Sequence, residues 1–170
     1  MIDVEYCRLL ARYNRWMNER MYAALAAMPD AERKRDRGAF FGSIHRTLSH
    51  IVWGDLVWVG RFTGTPHPVT AYGADAHDDF ADLARARENA DRDILGWAGA
   101  LTDAWLASTL EYRASSDGKL RTMPAWIGAT HLFQHATHHR GQVTTLMKQA
   151  GVDPGVTDLP YLPGVVRLVD

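Results

Sequence analysis

The sequence predicts an all-α protein, a four-helix bundle with a small β-hairpin between its third and fourth helices. Two observations predict this fold class: long segments in which apolar residues recur every three or four positions, and one turn-rich interruption before the last segment. The length of 170 residues and the apolar fraction of 46% are typical of one globular domain with a hydrophobic core. We therefore expect residues 1–170 to form a single domain.

The first two predicted helices cover residues 3–28 and 43–62. Pro29 ends the first, and Ser43 is a suitable N-cap for the second. The second helix is apolar on nearly every side, so it either lies at the centre of the bundle or also supplies a subunit interface. The segment between them mixes basic and acidic side chains and predicts a solvated loop. Its members are Glu32, Arg33, Lys34, Arg35, Asp36 and Arg37.

The third predicted helix begins near residues 77–79, where acidic side chains suit the positive end of a helix dipole, and continues to about Leu101. Residues 107–123 contain two short β-prone runs around Gly118, which is typical of a hairpin. Pro124 fits the first turn of the fourth helix, and Gly151 fits its C-terminal end.

Charge and cysteine content exclude several classes of function. A net charge of -1 provides no positive surface for a nucleic acid. Neither a signal sequence nor the roughly 18 consecutive apolar residues of a membrane span is present, so we expect a cytoplasmic protein without a membrane partner. Because Cys7 is the only cysteine, any metal must be bound by nitrogen or oxygen atoms.

Two histidines of the fourth helix lie on its apolar stripe. At about 100° per residue, His135 and His139 share a face with Leu132 and Val143. Imidazoles one turn apart can bind the same ion, whereas a lone buried histidine more often donates to a main-chain carbonyl. Two on one buried stripe favour a shared cation. The opposite, solvated face is expected to contain Thr130, Thr137, Arg140, Thr144 and Lys148.

His50 is the best candidate for a third ligand, because it lies within the apolar second helix and Gly54, one turn on, leaves space beside its imidazole. Three neutral histidines leave open coordination positions, which implies ligand binding or catalysis. Zinc, nickel, iron(II) or cobalt suit such nitrogen ligands. Five other histidines are assigned to loops, other faces or the rim of the site: His45, His67, His77, His131 and His138.

Three segments together resemble the DinB/YfiT-like family over nearly the whole chain. They are Tyr13-Asn-Arg-Trp16, Leu48-Ser-His50-Ile-Val-Trp-Gly-Asp55-Leu-Val-Trp58 and His135-Ala-Thr-His-His139-Arg-Gly-Gln142. The resemblance implies a four-helix bundle in which His50, His135 and His139 bind a divalent metal, which we expect to be zinc or nickel. It also implies a small-molecule substrate, in some relatives a low-molecular-weight thiol, and assembly into a homodimer.

Three functions are compatible with the sequence. The first is a metal-dependent enzyme that activates a thiol or water, as in S-transferases that use low-molecular-weight thiols. The second is a metal-dependent hydrolase, which lacks a clear general base because Asp55 lies about 140° from His50 around its helix. The third is a non-catalytic dimeric bundle that binds a metal or ligand. The pocket mouth is expected near Trp58, Arg61, Arg140 and Gln142, with no catalytic role assigned.

Overall fold

The computed structural model describes residues 2–65, 67 and 73–166, which form four long helices, short helical segments and one antiparallel hairpin. The long helices correspond to the four predicted ones, and the hairpin lies between the last two, so the predicted fold class is confirmed. The elements are α1 (Val4–Ala26), α2 (Asp30–Lys34), α3 (Ile44–Thr63), α4 (Phe80–Ala100), α5 (Asp103–Leu106), β1 (Thr109–Arg113), β2 (Leu120–Pro124) and α6 (Ala125–Gln149).

Local sequence determines where the helices that carry the site begin and end. The Ser43 hydroxyl accepts a hydrogen bond from the Arg46 amide at 3.2 Å, which confirms the predicted N-cap of α3. Asp79 caps α4 in the same way through the Asp82 amide. Gly151, with φ of 77°, follows α6, as its sequence predicts. No described helix has the length and hydropathy that a bilayer crossing requires.

Helix α3 lies at the centre of the bundle. It packs most extensively against α6 and next against α4, and nearly all of its side chains are buried by the rest of the chain. Of the two explanations for its apolar sequence, a central position is therefore sufficient. The composition of α3 no longer indicates a subunit interface.

The core consists of two apolar clusters separated by a layer of polar side chains. One cluster adjoins the hairpin and includes Phe62, Trp97 and Phe133. The other, toward the opposite end, includes Leu25 and Leu48. Between them lie six buried residues, which we call the polar layer: Asn14, Asn18, Asp55, Arg87, Asp91 and Arg140.

Charges and amides in the polar layer are paired with one another. Arg87 donates to Asp55 at 2.6 Å and forms a second ion pair with Asp91 at 2.9 Å. Asp91 also accepts hydrogen bonds from the side-chain amides of Asn14 and Asn18, at 3.2 and 2.9 Å. The layer thereby connects α1, α3 and α4 in the middle of the core.

The prediction that Arg140 faces solvent is wrong. Its side chain is 4% exposed and its guanidinium donates to the Asn14 side-chain oxygen and to the Thr137 hydroxyl. Helix α6 contacts α1 as well as α3, so it buries a wider face than its apolar stripe alone indicates. A long side chain at the edge of the stripe can then reach a polar partner inside the core.

The segment between α1 and α3 also differs from the predicted solvated loop. Residues 30–34 form α2, in which Arg33 is 8% exposed. Its guanidinium donates to the main-chain carbonyls of Leu25 and Met28, at the C-terminal end of α1. The Leu25 carbonyl also accepts from the Met28 amide at 3.1 Å, so Arg33 adds a second donor there and supplies a side-chain donor to Met28 just beyond the helix end.

Candidate metal centre

The structure brings together the three histidines selected from the sequence. His50 projects from α3, and His135 and His139 project from the facing side of α6. One ring nitrogen from each lies within 4.8 Å of the other two. The Nε2 atoms of His50 and His135 are 3.2 Å apart. Among the described residues, this group contains no carboxylate.

Close packing of α3 against α6 places His135 directly over Gly54. A Cβ atom at position 54 would lie 2.7 Å from the Cε1 atom of His135, closer than side chains approach in real structures. The expectation that Gly54 makes room for His50 is therefore wrong, because the residue that needs the space is His135. Gly54 is on the side of α3 that meets α6, so it governs how deeply the His135 ring can enter the interface.

Aromatic rings pack against His50. The Phe41 ring stacks on it with centroids 4.0 Å apart, and the Trp53 centroid is 5.5 Å away. Phe41 also lies 5.6 Å from His139. Phe41 was not predicted from the sequence, although it directly precedes Gly42 and the N-cap Ser43 and so had to lie near the start of α3. Gly42, with φ of 80°, allows the tight turn that returns Phe41 toward the histidines.

Burial favours the neutral form of the two candidate ligands on α6. Burial first, and then the neighbouring histidines beginning with His139, lower the pKa of His135 to about 3. Burial also lowers the pKa of His139. A metal binds the neutral form of imidazole, so protons do not compete strongly for these nitrogens near neutral pH.

The donor set fits a divalent cation of the zinc or nickel type. Nitrogens bound to one zinc at 2.0–2.1 Å in a tetrahedron lie about 3.3 Å apart, close to the separation between His50 and His135. The Nδ1 atom of His135 is buried and has no hydrogen-bond partner among the described residues, unlike a core histidine that donates to a main-chain carbonyl. The three histidines are thus positioned to hold a metal ion.

The other described histidines have different roles, as expected. His45 is buried, and its Nε2 lies 2.7 Å from the His77 carbonyl oxygen, which is typical of a structural histidine. His131 and His138 are exposed at the rim. The His131 ring packs on Trp58, with centroids 4.7 Å apart.

Two further residues named for the pocket mouth connect the hairpin to α3. The Arg61 guanidinium lies over the rings of Trp58 and Tyr112, at 4.4 and 4.7 Å from their centroids. It also donates to the Arg113 carbonyl at 3.1 Å. Since Trp58 contacts His131, the hairpin packs beside the rim of the candidate site.

Asp55 is unsuitable as a general base. Its side chain is fully buried and paired with Arg87 in the polar layer. A base must reach the proton that it removes, through a direct hydrogen bond or one water molecule. The structure therefore agrees with the sequence in leaving the hydrolase hypothesis without this carboxylate.

Comparisons with known proteins extend over most of the chain. Residues 1–164 match the family described as the DinB family. Two similar proteins come from Bacillus subtilis (strain 168). Protein DinB is 25% identical over 158 residues, which are 88% of each chain. The uncharacterized protein YrdA is 32% identical over 117 residues, which are 65% of each chain. A crystal structure of a DinB-like protein from Bacillus cereus ATCC 10987 is 22% identical, covers 89% of this chain and 91% of that one, and superimposes with a TM-score of 0.60. This last likeness supports the fold.

Proposed function

We propose that this chain, which belongs to the DinB family, binds one divalent zinc or nickel ion through His50, His135 and His139 and uses it in a thiol-dependent transfer reaction. The observation that carries the proposal is the convergence of three imidazole nitrogens, two of them on histidines whose pKa is lowered, without a carboxylate in the group. A cation held by three neutral imidazoles keeps coordination positions open and lowers the pKa of a thiol or water that binds there.

The residues around the histidines suit a small substrate. A surface cleft of about 450 Å³ is lined by Phe40, His138 and Gln142 beside His139. Its volume is within the usual range for small-molecule sites. Phe41 and Trp53 cover His50, so water has limited access on that side. We expect a thiol and a small electrophile to enter from the side of the cleft.

Metal binding is tested by titrating the metal-free protein with zinc and with nickel. We expect one ion per chain, and an affinity at least about 100-fold weaker after His135→Ala or His50→Ala, because each substitution removes a ligand. Gln134→Ala is the matched control, since Gln134 is exposed on the same helix and is not a candidate ligand, so its loss should leave the affinity nearly unchanged. Absence of stoichiometric binding by the unmodified protein would overturn the proposal.

Thiol transfer is tested with the metal-loaded protein, a panel of low-molecular-weight thiols and chlorodinitrobenzene. The thiolate sulfur forms a bond to the aromatic carbon, chloride leaves with the bonding electrons, and the thiol proton passes to solvent. We expect turnover that depends on the metal and disappears in His135→Ala. If no thiol supports turnover, the transferase function is excluded and metal binding stands alone.

The remaining functions are outcomes of the same experiments. Hydrolysis of esters or amides above the rate of the free metal would favour the hydrolase. Protein that binds the ion but catalyses neither reaction would be a non-catalytic metal-binding bundle. Homodimer formation and a cytoplasmic location stay predictions. Packing within the chain accounts for the apolar sequence of α3, so that sequence does not locate a dimer surface, and light scattering of the purified protein decides whether a dimer forms.

A further inference from the structure

A side-chain amide on α6 connects a candidate ligand to the surface. The Nδ1 atom of His139 lies 2.8 Å from the Oε1 atom of Gln142. The amide nitrogen of Gln142 lies 3.2 Å from the Nε2 atom of exposed His138. These three residues share one side of the helix because they are three and four positions apart. From the sequence, Gln142 was predicted only to lie near the pocket mouth.

The first of these contacts determines where the proton of His139 lies. A neutral imidazole has one N–H group, and an amide oxygen can only accept a hydrogen bond. At 2.8 Å from Oε1, the Nδ1 atom of His139 must therefore be the donor. The lone pair of Nε2 is then free to bind a cation.

The second contact holds the Gln142 amide in this orientation. A glutamine side chain loses considerable conformational freedom when it is ordered, and one hydrogen bond offsets that cost only in part. The bond from the amide nitrogen to His138 adds a second restraint. If the amide were turned over, its N–H group would face Nδ1 of His139. The ring proton would then have to be on Nε2, where it would block the cation.

We propose that Gln142 is a positioning residue of the metal centre: its Oε1 atom holds His139 as the Nδ1–H tautomer and so presents Nε2 to the ion. This inference rests on the proposed function. Hydrogen bonds of this kind orient the ring and raise the basicity of a ligating histidine, and their loss typically costs about 10- to 100-fold in metal affinity.

The test compares Gln142→Met with Gln142→Glu. Methionine has a similar length and helix propensity but offers only a weak thioether acceptor, whereas glutamate keeps an oxygen acceptor and loses the N–H donor. In the metal-free protein, two-bond ¹H–¹⁵N spectra identify the tautomer of His139. We expect Nδ1–H in the unmodified protein and in Gln142→Glu, and a mixture or the Nε2–H form in Gln142→Met.

Cobalt(II) affinity and the visible ligand-field spectrum provide the second measurement. We expect Gln142→Met to bind cobalt about 10- to 100-fold more weakly with a changed spectrum, and Gln142→Glu to restore both. Far-UV circular dichroism checks that each variant is folded. If a variant does not fold, the tautomer of His139 measured in the unmodified protein still tests the inference.

Two results would overturn the inference while the proposed function stands: an Nε2–H tautomer in the unmodified metal-free protein, or unchanged tautomer, affinity and spectrum in Gln142→Met. Failure of the unmodified protein to bind any of the three metals would overturn the proposed function, and with it the role of Gln142. The two failures are thus distinguished by the unmodified protein alone.

Discussion

At His135, packing and protonation have the same cause, the close approach of α3 and α6. The ring lies against Gly54, and its Nδ1 atom is buried without a hydrogen-bond partner in the described part of the chain. Removal from water disfavours the charged imidazolium, and other histidines nearby add to the effect. The ring is consequently a neutral ligand that is ready for a cation but poorly able to take up a proton.

We expect the metal-free protein to lose stability as the pH falls below 6.5, the ordinary pKa of histidine. Because burial lowers the folded-state pKa of His135 to about 3, the unfolded chain binds more protons between these two values. The stabilising contribution is therefore complete above pH 6.5 and is lost as the pH falls toward 3. Urea unfolding of the unmodified protein and of His135→Gln at several pH values checks this.

In the His135→Gln variant, the free energy of unfolding should change less steeply with pH, by at most about 1.4 kcal/mol per pH unit. Exposed His138 provides the control, since it is the smallest of the causes that lower the His135 pKa and His138→Gln should retain most of the dependence. Equal pH slopes for the unmodified protein and His135→Gln would contradict the assignment.

Gly54→Ala should disturb the site although it replaces none of the three candidate ligands. The new methyl group would lie 2.7 Å from His135 Cε1, so the ring or α6 must move. We expect a loss of about 1–3 kcal/mol in unfolding free energy and weaker zinc binding. Calorimetric titration and urea unfolding measure the two effects.

The matched control for this substitution is Gly96→Ala. Gly96 is exposed within α4, and a Cβ atom there meets no described atom within 4 Å. Since alanine favours helix, this control should gain up to about 1 kcal/mol. If Gly54→Ala were as stable as the control, the interface between α3 and α6 would have to accommodate the methyl group without strain.

For single residues, helical phase was enough to select His135 and His139 from the sequence, because both lie on a stripe that must be buried. It could not determine which histidine faces Gly54 or which nitrogen of His139 carries the proton. Those features depend on the distance between two helices and on amide orientation, neither of which has a periodic pattern in the sequence. Gln142 could have been found only from its i+3 spacing to His139.

At the scale of elements, α2 shows how a short helix can serve its neighbours. Five residues are too few for a stable isolated helix, so tertiary contacts must hold α2 in place. Arg33 provides them through the carbonyls of Leu25 and Met28, and its guanidinium also lies 4.2 Å from the Phe80 ring centroid. The turn that carries Phe41 lies between α2 and α3.

Arg33→Met should therefore destabilise the protein by about 1–3 kcal/mol, because the Met28 carbonyl loses its arginine donor and the Leu25 carbonyl loses one of its donors, while the apolar stem is kept. Arg35→Met is the control. Arg35 is largely exposed, and its ion pair within the described part of the chain is with Glu32 at the surface, so its loss should have little effect. Thermal or urea unfolding compares them, and similar losses in both variants would exclude a special role for Arg33.

Helix ends at Ser43, Asp79 and Gly151 were predictable because capping is a local interaction between near neighbours. The helical state of residues 30–34 was not, since it depends on an arginine reaching another helix. Mixed charge in a short segment resembles a loop unless the partner groups are known.

For the molecule as a whole, the polar layer lies between the two apolar clusters and includes charged groups from three helices. Asp55, Arg87 and Asp91 are paired where water is excluded. Arg87 and Asp91 occupy the same stripe of α4 as Leu83 and Ile94, a clue that the sequence already contained. Their significance could not be judged without knowing that Asp55 and Asn14 face them.

Asp55→Asn should cost about 3–5 kcal/mol in unfolding free energy, because Arg87 would remain buried with one of its two charge partners removed. Asp82→Asn serves as the control, since Asp82 pairs with Arg85 on the surface. Guanidinium chloride unfolding at neutral pH measures both. A loss below about 1 kcal/mol for Asp55→Asn would mean that water or other groups compensate Arg87.

The organisation of residues 1–170 as a single domain stays a prediction, and Met1, Pro66 and residues 68–72 and 167–170 lie outside the described residues. Contacts among α1, α3, α4 and α6 support the prediction of a single domain. We expect helix content and tryptophan fluorescence to change together in one cooperative unfolding transition. Two separated transitions would indicate independent units.

Pairing in the polar layer also restricts sliding between helices. Displacing α4 along α3 by one turn, about 5.4 Å, would separate Arg87 from Asp55 and strand both charges in a dry interior. Apolar side chains alone would resist such a shift far less, since one leucine can replace another. Arg140 of α6 donates to Asn14 of α1, and Asn14 donates to Asp91 of α4, so the same network extends from α3 to α6. The axial height of His50 opposite His135 is therefore restrained by groups that never meet the ion, which makes the alignment of the ligands a property of the entire bundle.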